Sequence, residues 1–154
     1  MRVGLISDTH GLLRPQALAA LQGSEHIVHG GDIGNAEVLE QLRAIAPLTV
    51  VRGNVDTDDW AQAIGETETI ALAGVRIHVL HDLKALAIDP AALGVGVVVS
   101  GHSHKPLVEQ RGAVLYVNPG SAGPRRFRLP VSVAQLVIEA GGAVTARIVE
   151  LSYA

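Results

Sequence analysis

The 154-residue chain contains no cysteine, few aromatic residues (3%) and no long apolar run. Without cysteine it can form neither disulfides nor thiolate ligands and nucleophiles, which fits a reducing compartment. The apolar run after Met1 ends at Ser7, too early for a signal peptide, and no stretch approaches the ~18 apolar residues of a membrane span. We therefore expect a cytoplasmic protein with no membrane partner.

The chain also has little excess of either charge, because 12 basic and 15 acidic residues give a net charge of −3. Such a chain has no general attraction for nucleic acid, and we expect no specific nucleic-acid partner. Hydrophobic residues make up 48% and charged residues 18%, which favours a compact globule over disorder. The length fits one domain over residues 1–154.

The first 56 residues alternate between apolar strands and amphipathic helices. The segments "RVGLIS", "HIVHGGD" and "LTVVRGN" are typical of strands, and "RPQALAALQ" and "NAEVLEQLRAIA" between them are typical of helices. A β-α-β-α-β order indicates a parallel sheet with both faces covered.

The second half is richer in antiparallel patterns. "TETIALAGVRIHVLHD" predicts two strands that turn at Ala73 and Gly74, and the residues around Leu83 to Leu93 predict a helical piece. "GVGVVVSGHSH", "AVLYVNPGS" and the tail around the turn Gly141-Gly142 predict further strands. The pattern indicates an α/β fold with two packed sheets and helices outside.

Metal-capable side chains follow nearly every predicted strand. Ligands bind at the carboxyl ends of strands in open α/β sheets, and massed carboxylates and imidazoles are costly to bury unless they are paired or bind metal. Taken singly, each of these residues could have an ordinary structural role. Together, and in this order along the chain, they predict a metal site. Its oxygen and nitrogen donors suit Mn, Fe, Zn or Ni. The set comprises Asp8, His10, Asp32, Asn54, His81, His102 and His104.

The segments "DTH", "GGD", "GNVD", "LHD" and "SGHSH" resemble, in order, the five motifs of calcineurin-like metallophosphoesterases. The small size and the later "NPGS" (118–121) resemble the small bacterial and archaeal phosphodiesterase branch of that family. The resemblance implies a four-layer αββα sandwich of two mixed β-sheets flanked by helices, with the metals at the edge of the sheets. It also makes a homo-oligomer plausible.

The same resemblance implies two divalent metal ions, with Mn expected first. The family pattern assigns Asp8, His10 and His104 to one ion and Asn54, His81 and His102 to the other, with Asp32 bridging. It implies a dinuclear phosphodiesterase that attacks a small phosphodiester substrate with a metal-bridging hydroxide. Asn54, Asp32 and His10 are the residues expected to act in catalysis, Asn54 by donating a hydrogen bond to a phosphoryl oxygen.

Two positions depart from the family pattern. Val55 stands where many relatives have a histidine that protonates the leaving group, so we expect activity on diesters with good leaving groups and weak turnover of alkyl monoesters. Asp56 would then support the loop around Asn54. Asp82 follows His81 where relatives often have glycine and then another histidine.

More than one role is compatible with the sequence for some residues, and more than one function for the chain. Arg125, after "NPGSAGP", is a candidate substrate-binding residue at the site mouth, or a subunit contact or ordinary surface arginine. His29 is a candidate for supporting the site, whereas His26 and His78 are expected to be structural or exposed. The alternative functions are a metal-binding scaffold resembling the vacuolar-sorting retromer subunit, and a phosphomonoesterase or nucleotidase.

Overall fold

The structure is a computed structural model that describes residues 1–152. Within these residues, ten strands form two five-stranded sheets and two α-helices precede β2 and β3. The elements are β1 (Arg2–Ile6), α1 (Pro15–Leu21), β2 (His26–His29), α2 (Ala36–Arg43), β3 (Leu48–Val50), β4 (Thr67–Leu72), β5 (Val75–Leu80), β6 (Val95–Val99), β7 (Leu107–Arg111), β8 (Val114–Asn118), β9 (Ser132–Ile138) and β10 (Val144–Glu150).

The first sheet has the order β10-β9-β1-β2-β3. β1, β2 and β3 run parallel because a helix crosses over between each pair, as the β-α-β-α-β pattern predicts. Pro15 lies in the first turn of α1, and the Asn35 side chain caps α2 by accepting from the N–H of Val38 at 3.1 Å. β9 and β10 complete the sheet as an antiparallel hairpin.

The second sheet has the order β4-β5-β6-β8-β7 and is also mixed. β5, β6 and β8 are parallel, while β4 and β7 pair antiparallel at the two edges. The predicted hairpin turns at Ala73-Gly74 and Gly141-Gly142 are present. β7 was not predicted, because its sequence "LVEQR" has two adjacent apolar residues and no alternation.

The two sheets pack face to face through β-branched and leucine side chains, including Leu5 and Val28 from the first sheet and Ile77 and Val97 from the second. The outer face of the first sheet packs against both helices, with Leu21 and Leu42 buried there. The two packed mixed sheets confirm the two-sheet sandwich expected from the sequence.

The outer face of the second sheet differs from the prediction. The helical piece expected around Leu83 to Leu93 is a single 3-10 turn at Leu83–Ala85, followed by irregular backbone and turns. Asp89-Pro90 accounts for the difference, because a proline disfavours helical backbone at the residue before it. Leu83, Leu86 and Ile88 still pack on the sheet as a thin apolar cover.

The architecture brings the carboxyl ends of β1, β2, β3, β5 and β6 to the same edge of the two sheets. Every predicted metal-ligand candidate follows one of these strands within five residues. Among residues 1–152, no helix is long and apolar enough to cross a membrane.

Candidate metal centre

Five of the seven candidate ligands converge in a compact cluster. Asp8 Oδ1 lies 3.3 Å from His104 Nε2, 3.9 Å from His10 Nε2 and 4.0 Å from His81 Nε2. Asp32 Oδ2 lies 3.2 Å from His81 Nε2 and 3.7 Å from His10 Nε2. The ligand atoms form two overlapping groups, Asp8-His10-His104 and Asp8-Asp32-His81, each within 4.8 Å.

Asp8 is held so that one carboxylate oxygen is fixed and the other faces the cluster. Oδ2 accepts hydrogen bonds from the Ser7 hydroxyl at 2.7 Å and from the His102 N–H at 3.1 Å. Oδ1 is buried and has no hydrogen-bond partner. Gly101 makes this approach feasible, because a Cβ there would collide with Ser7 Oγ and Asp8 Oδ2.

Asp32 follows the same design. Its Oδ1 accepts from the Val55 N–H at 3.1 Å, which leaves Oδ2 facing His81 and His10. Burial raises the pKa of Asp32, but His81, the Val55 N–H and His10 outweigh it and lower that pKa to about 2. Asp32 is therefore an anion at neutral pH and faces a histidine of each predicted ligand set.

His81 is oriented by the backbone of the neighbouring strand end. Its Nδ1 donates to the Gly30 carbonyl at 2.8 Å, so Nε2 is the atom that faces Asp32 and Asp8. Burial lowers the pKa of His81, but Asp32, the Gly30 carbonyl and Asp8 together raise it above the ordinary value. A lone pair on Nε2 would face two carboxylate oxygens, so a proton or a cation must lie between them.

The donor set fits divalent metal ions. Within residues 1–152, four buried polar side-chain atoms have no hydrogen-bond partner, and all belong to candidate ligands: Asp8 Oδ1, His10 Nε2, His81 Nε2 and His104 Nδ1. The first three face the cluster, whereas His104 faces Asp8 Oδ1 with its other ring nitrogen, Nε2. Buried groups are normally satisfied, and an unsatisfied one costs about 1–3 kcal/mol. Clustered imidazole and carboxylate atoms of this kind are typical of Mn, Fe, Ni or Zn sites.

Backbone strain also concentrates at these residues. Seven non-glycine residues in the described chain have positive φ, and five of them are candidate ligands: Asp8 (54°), His10 (47°), Asp32 (56°), His102 (70°) and His104 (62°). A left-handed backbone costs an ordinary residue of order 1 kcal/mol, and such strain persists where function requires it. A glycine would be the unstrained choice at each position, so the side chains themselves are needed.

Asn54 and His102 lie at the rim, outside the two ligand groups. The His102 side chain is 43% exposed; its ring packs edge-on against His81 at 5.2 Å, and its Nε2 lies 3.8 Å from Asp82. Asn54 is exposed and lines a cavity of about 240 Å³ together with His81 and Asp82. Both lie beside the cluster and are exposed, whereas His81 and His104 are buried.

Asp56 supports the loops, as expected from the sequence. Its carboxylate is buried and accepts from the N–H groups of Ile33 and Gly34, next to Asp32, and of Gly53, next to Asn54. The distances are 2.9 to 3.1 Å. One carboxylate thus fixes two strand-end loops relative to each other.

His29 occupies a fully buried position beneath the site. The Gly31 N–H donates to its Nδ1 at 3.0 Å, so Nε2 carries the proton and donates to the Thr9 hydroxyl at 3.0 Å, which donates to Ile33. Burial lowers the pKa of His29 to about 4, against smaller opposing effects of Asp8 and Asp56. A neutral imidazole therefore connects the loop of Asp8 with that of Asp32.

Asn118, the first residue of the "NPGS" motif, has a role that the sequence did not indicate. Its Nδ2 donates to the Gly101 carbonyl at 3.0 Å and to Ser103 Oγ at 3.1 Å, and Oδ1 accepts from Gly120. These bonds hold the segment on both sides of His102. An asparagine before proline and glycine at a strand end is also the pattern of an ordinary turn, so the sequence alone could not reveal this contact.

The other polar candidates lie away from the cluster. His26 contacts Thr49 through Nε2 at 2.8 Å, and His78 contacts Thr69 through Nδ1 at 2.7 Å, consistent with structural roles. Arg125 is exposed in the loop after Gly123, and its Nε donates to the Leu129 carbonyl at 3.3 Å.

Comparison with protein families gives a match over residues 1–141 to the model of the calcineurin-like phosphoesterase superfamily domain. A protein of Methanocaldococcus jannaschii named a probable metallophosphoesterase is 31% identical, with 90% of this chain and 77% of that protein covered. The phosphodiesterase YfcE of Escherichia coli is 29% identical, with 88% and 87% covered.

Solved structures include a close match in fold. Wild-type Vps29 of Entamoeba histolytica, determined in complex with zinc, superposes with a TM-score of 0.75 at 28% identity. The match covers 97% of this chain and 99% of that one. The proteins similar to this chain therefore include a named phosphodiesterase, YfcE, and also Vps29, whose name carries no enzymatic activity.

Proposed function

This chain belongs to the calcineurin-like phosphoesterase superfamily, and on that premise we propose that it is a dinuclear metal-dependent phosphodiesterase. The observation that carries the proposal is the set of three buried atoms without hydrogen-bond partners, Asp8 Oδ1, His10 Nε2 and His81 Nε2, which face one another in the cluster. Buried polar atoms without partners at strand ends are what a metal-binding site requires before its ions are bound.

We propose the ligand assignment that the sequence implies. Asp8, His10 and His104 would hold one ion, Asn54, His81 and His102 the other, and Asp32 would contact both. The short distances from Asp8 to His104 and from Asp32 to His81 support the two halves of this assignment. For the second set, Asn54 and His102 would turn inward from the rim.

Two divalent ions bound here would supply Lewis-acid chemistry, which would acidify a water molecule and neutralise charge on phosphoryl oxygens. Asn54, exposed at the rim, would donate its amide N–H to a phosphoryl oxygen. His10 Nε2 and Asp32 Oδ2, which lie 3.7 Å apart, would position the reacting groups. We propose manganese as the preferred ion, with Fe, Ni and Zn as alternatives, because the donors are imidazoles, carboxylates and an amide without thiolate.

Val55 argues for diesters with good leaving groups as the substrates. Its side chain is 50% exposed and only its backbone N–H contacts Asp32, so this position offers no proton to a departing alkoxide. Missing general-acid catalysis costs about 10²–10⁴-fold for poor leaving groups and little for good ones. Cytoplasmic location, a single domain over residues 1–154 and assembly into a homo-oligomer stay predictions.

The proposal is tested with metal-stripped protein and two chromogenic substrates, bis(4-nitrophenyl) phosphate and 4-nitrophenyl phosphate. Addition of Mn²⁺ is expected to restore hydrolysis, with the diester cleaved faster than the monoester. Monoester cleavage that exceeds diester cleavage would instead favour the phosphomonoesterase or nucleotidase alternative.

A protein-binding scaffold is the second candidate function, favoured by the fold match to Vps29. The two functions are separated by the same preparation. Protein that binds two Mn²⁺ ions per chain and cleaves neither substrate would contradict the enzyme and support the scaffold.

A further inference from the structure

Two cavities at the rim of the metal centre share Asp82 in their linings. The smaller, of about 240 Å³, also includes Asn54 and His81 in its lining. The larger, of about 570 Å³, includes His102. A phosphodiester bound at the metals has two ester arms, and the structure offers a separate space for each.

The larger cavity has an unusual lining. The chain contains only two lysines, Lys84 and Lys105, and both line this cavity. Leu83 and Leu107 form apolar parts of its wall. A small-molecule site typically combines apolar walls with a few placed polar groups, which matches this composition. We call this cavity the lysine groove.

Hydrogen bonds fix the backbone of both lysines. The Lys84 N–H donates to Asp82 Oδ1 at 3.1 Å, and the Lys105 N–H donates to Ser103 Oγ at 3.2 Å. Ser103 is in turn held by Asn118 Nδ2 at 3.1 Å. The lysine side chains themselves are exposed, so each ammonium group can reach an anion from an anchored position.

The charges around the groove favour an anion. Asp82 is the only acidic residue in the described lining, and its two oxygens face the Lys84 N–H and His102 Nε2. The lining of the groove therefore carries two ammonium groups and one carboxylate, an excess of positive charge, although the whole chain has a net charge of −3. Local positive charge in a negatively charged protein is a feature that attracts an anionic ligand to one place.

We propose that the lysine groove binds one ester arm of the substrate, an organic group that carries a second anionic group, which pairs with Lys84 and Lys105. The inference rests on the proposed phosphodiesterase function and names a substrate class for it. The substrate is then an asymmetric diester, with its smaller arm directed toward the cavity beside Asn54.

The kinetic test uses two 4-nitrophenyl diesters whose second arm is either phenyl or 4-carboxyphenyl. These arms have nearly equal size and differ in one charge. We expect wild-type protein to have a lower KM for the carboxyphenyl diester. The double variant Lys84→Gln/Lys105→Gln should raise that KM roughly three- to tenfold, as expected for the loss of two exposed ion pairs, with kcat and the phenyl diester's KM unchanged.

Arg147→Gln is the matched control, because it removes a cation from β10 in the other sheet. Equal KM changes for both diesters, or no change for either, would overturn the inference. Failure of wild-type protein to cleave either diester would count against the proposed function instead. In that case a binding measurement tests whether the lysine groove binds an anionic group.

That measurement follows acetylation of the chain's amines by mass spectrometry, with 4-carboxyphenyl methylphosphonate as the probe and phenyl methylphosphonate as its uncharged-arm control. The amines are Lys84, Lys105 and the Met1 amino group, which serves as internal reference. The charged probe should slow both lysines relative to Met1 at least about threefold. Unchanged relative rates would contradict the groove as an anion site.

Discussion

The buried ligands and the rim ligands of the metal centre are built differently. Asp8, Asp32, His81 and His104 are buried, and the first three have one atom fixed by hydrogen bonds and another facing the cluster. Asn54 and His102 are exposed, and their side chains lie beside the cluster. In the proposed two-ion assignment, the first metal position and the shared Asp32 carboxylate would be preorganised, whereas the second position would be completed when its ion binds.

The substitution with the largest expected effect is Asp32→Asn, which removes the buried carboxylate that both ions would share. We expect Mn²⁺-dependent diesterase activity to fall at least about 10³-fold, because an amide oxygen cannot supply the same charge. Asp59→Asn, at an exposed position, is the control and should retain activity. Asp32→Asn protein with near wild-type kinetics and two bound ions would refute the bridging role.

His102→Ala and His102→Gly test the rim. Both should reduce activity about 10²-fold and lower the bound Mn²⁺ from two ions to one, measured by elemental analysis. Because His102 has a φ of 70°, glycine relieves strain that alanine keeps. Metal-free His102→Gly should therefore be about 1 kcal/mol more stable to urea than His102→Ala. Equal stabilities would show that the strain carries no energetic cost.

Asp56→Asn tests how the loops are held. Its carboxylate accepts from three backbone N–H groups at a position that is 2% exposed. An amide has one acceptor oxygen, so we expect a loss of about 2 kcal/mol in unfolding free energy and about tenfold lower activity. Asp58→Asn, exposed in the same loop, should change neither quantity beyond error. An unchanged urea midpoint for Asp56→Asn would contradict its structural role.

His29→Gln tests the buried imidazole through pH. The pKa of His29 is about 4 in the folded chain and 6.5 as its ordinary value. The unfolded chain therefore binds the extra proton between these values, and stability falls as pH decreases from 6.5 to 4, by up to about 3 kcal/mol. Urea unfolding of metal-free protein should show a steeper loss in wild type than in His29→Gln. Parallel pH dependences would exclude this linkage.

Arg125→Ala has the smallest expected effect. Since the Arg125 Nε donates to the loop carbonyl of Leu129, we expect the KM for a diester to change less than about threefold. Arg126→Ala, next to it and exposed, is the matched control. A KM increase above tenfold confined to Arg125→Ala would instead support substrate binding by this residue.

The sequence predicted much of the fold and the location of the cluster. Apolar runs that end in DTH, GGD and LHD identify the strand ends, and parallel strands place those ends together. The apolar spacing around 83–93 predicts a helix, but Asp89-Pro90 in the same sequence is a signal against it and explains the irregular cover found at 86–94. The sequence could not predict the contacts of Asn118 or the presence of both lysines in one cavity, since both depend on tertiary structure.

The proposed two-ion assignment is tested most directly by anomalous diffraction from crystals of the Mn²⁺-loaded protein. We expect two peaks per chain, both in contact with Asp32. One should contact Asp8, His10 and His104, and the other Asn54, His81 and His102, with the two rim side chains turned inward. A single peak, or a second ion that contacts neither Asn54 nor His102, would contradict it.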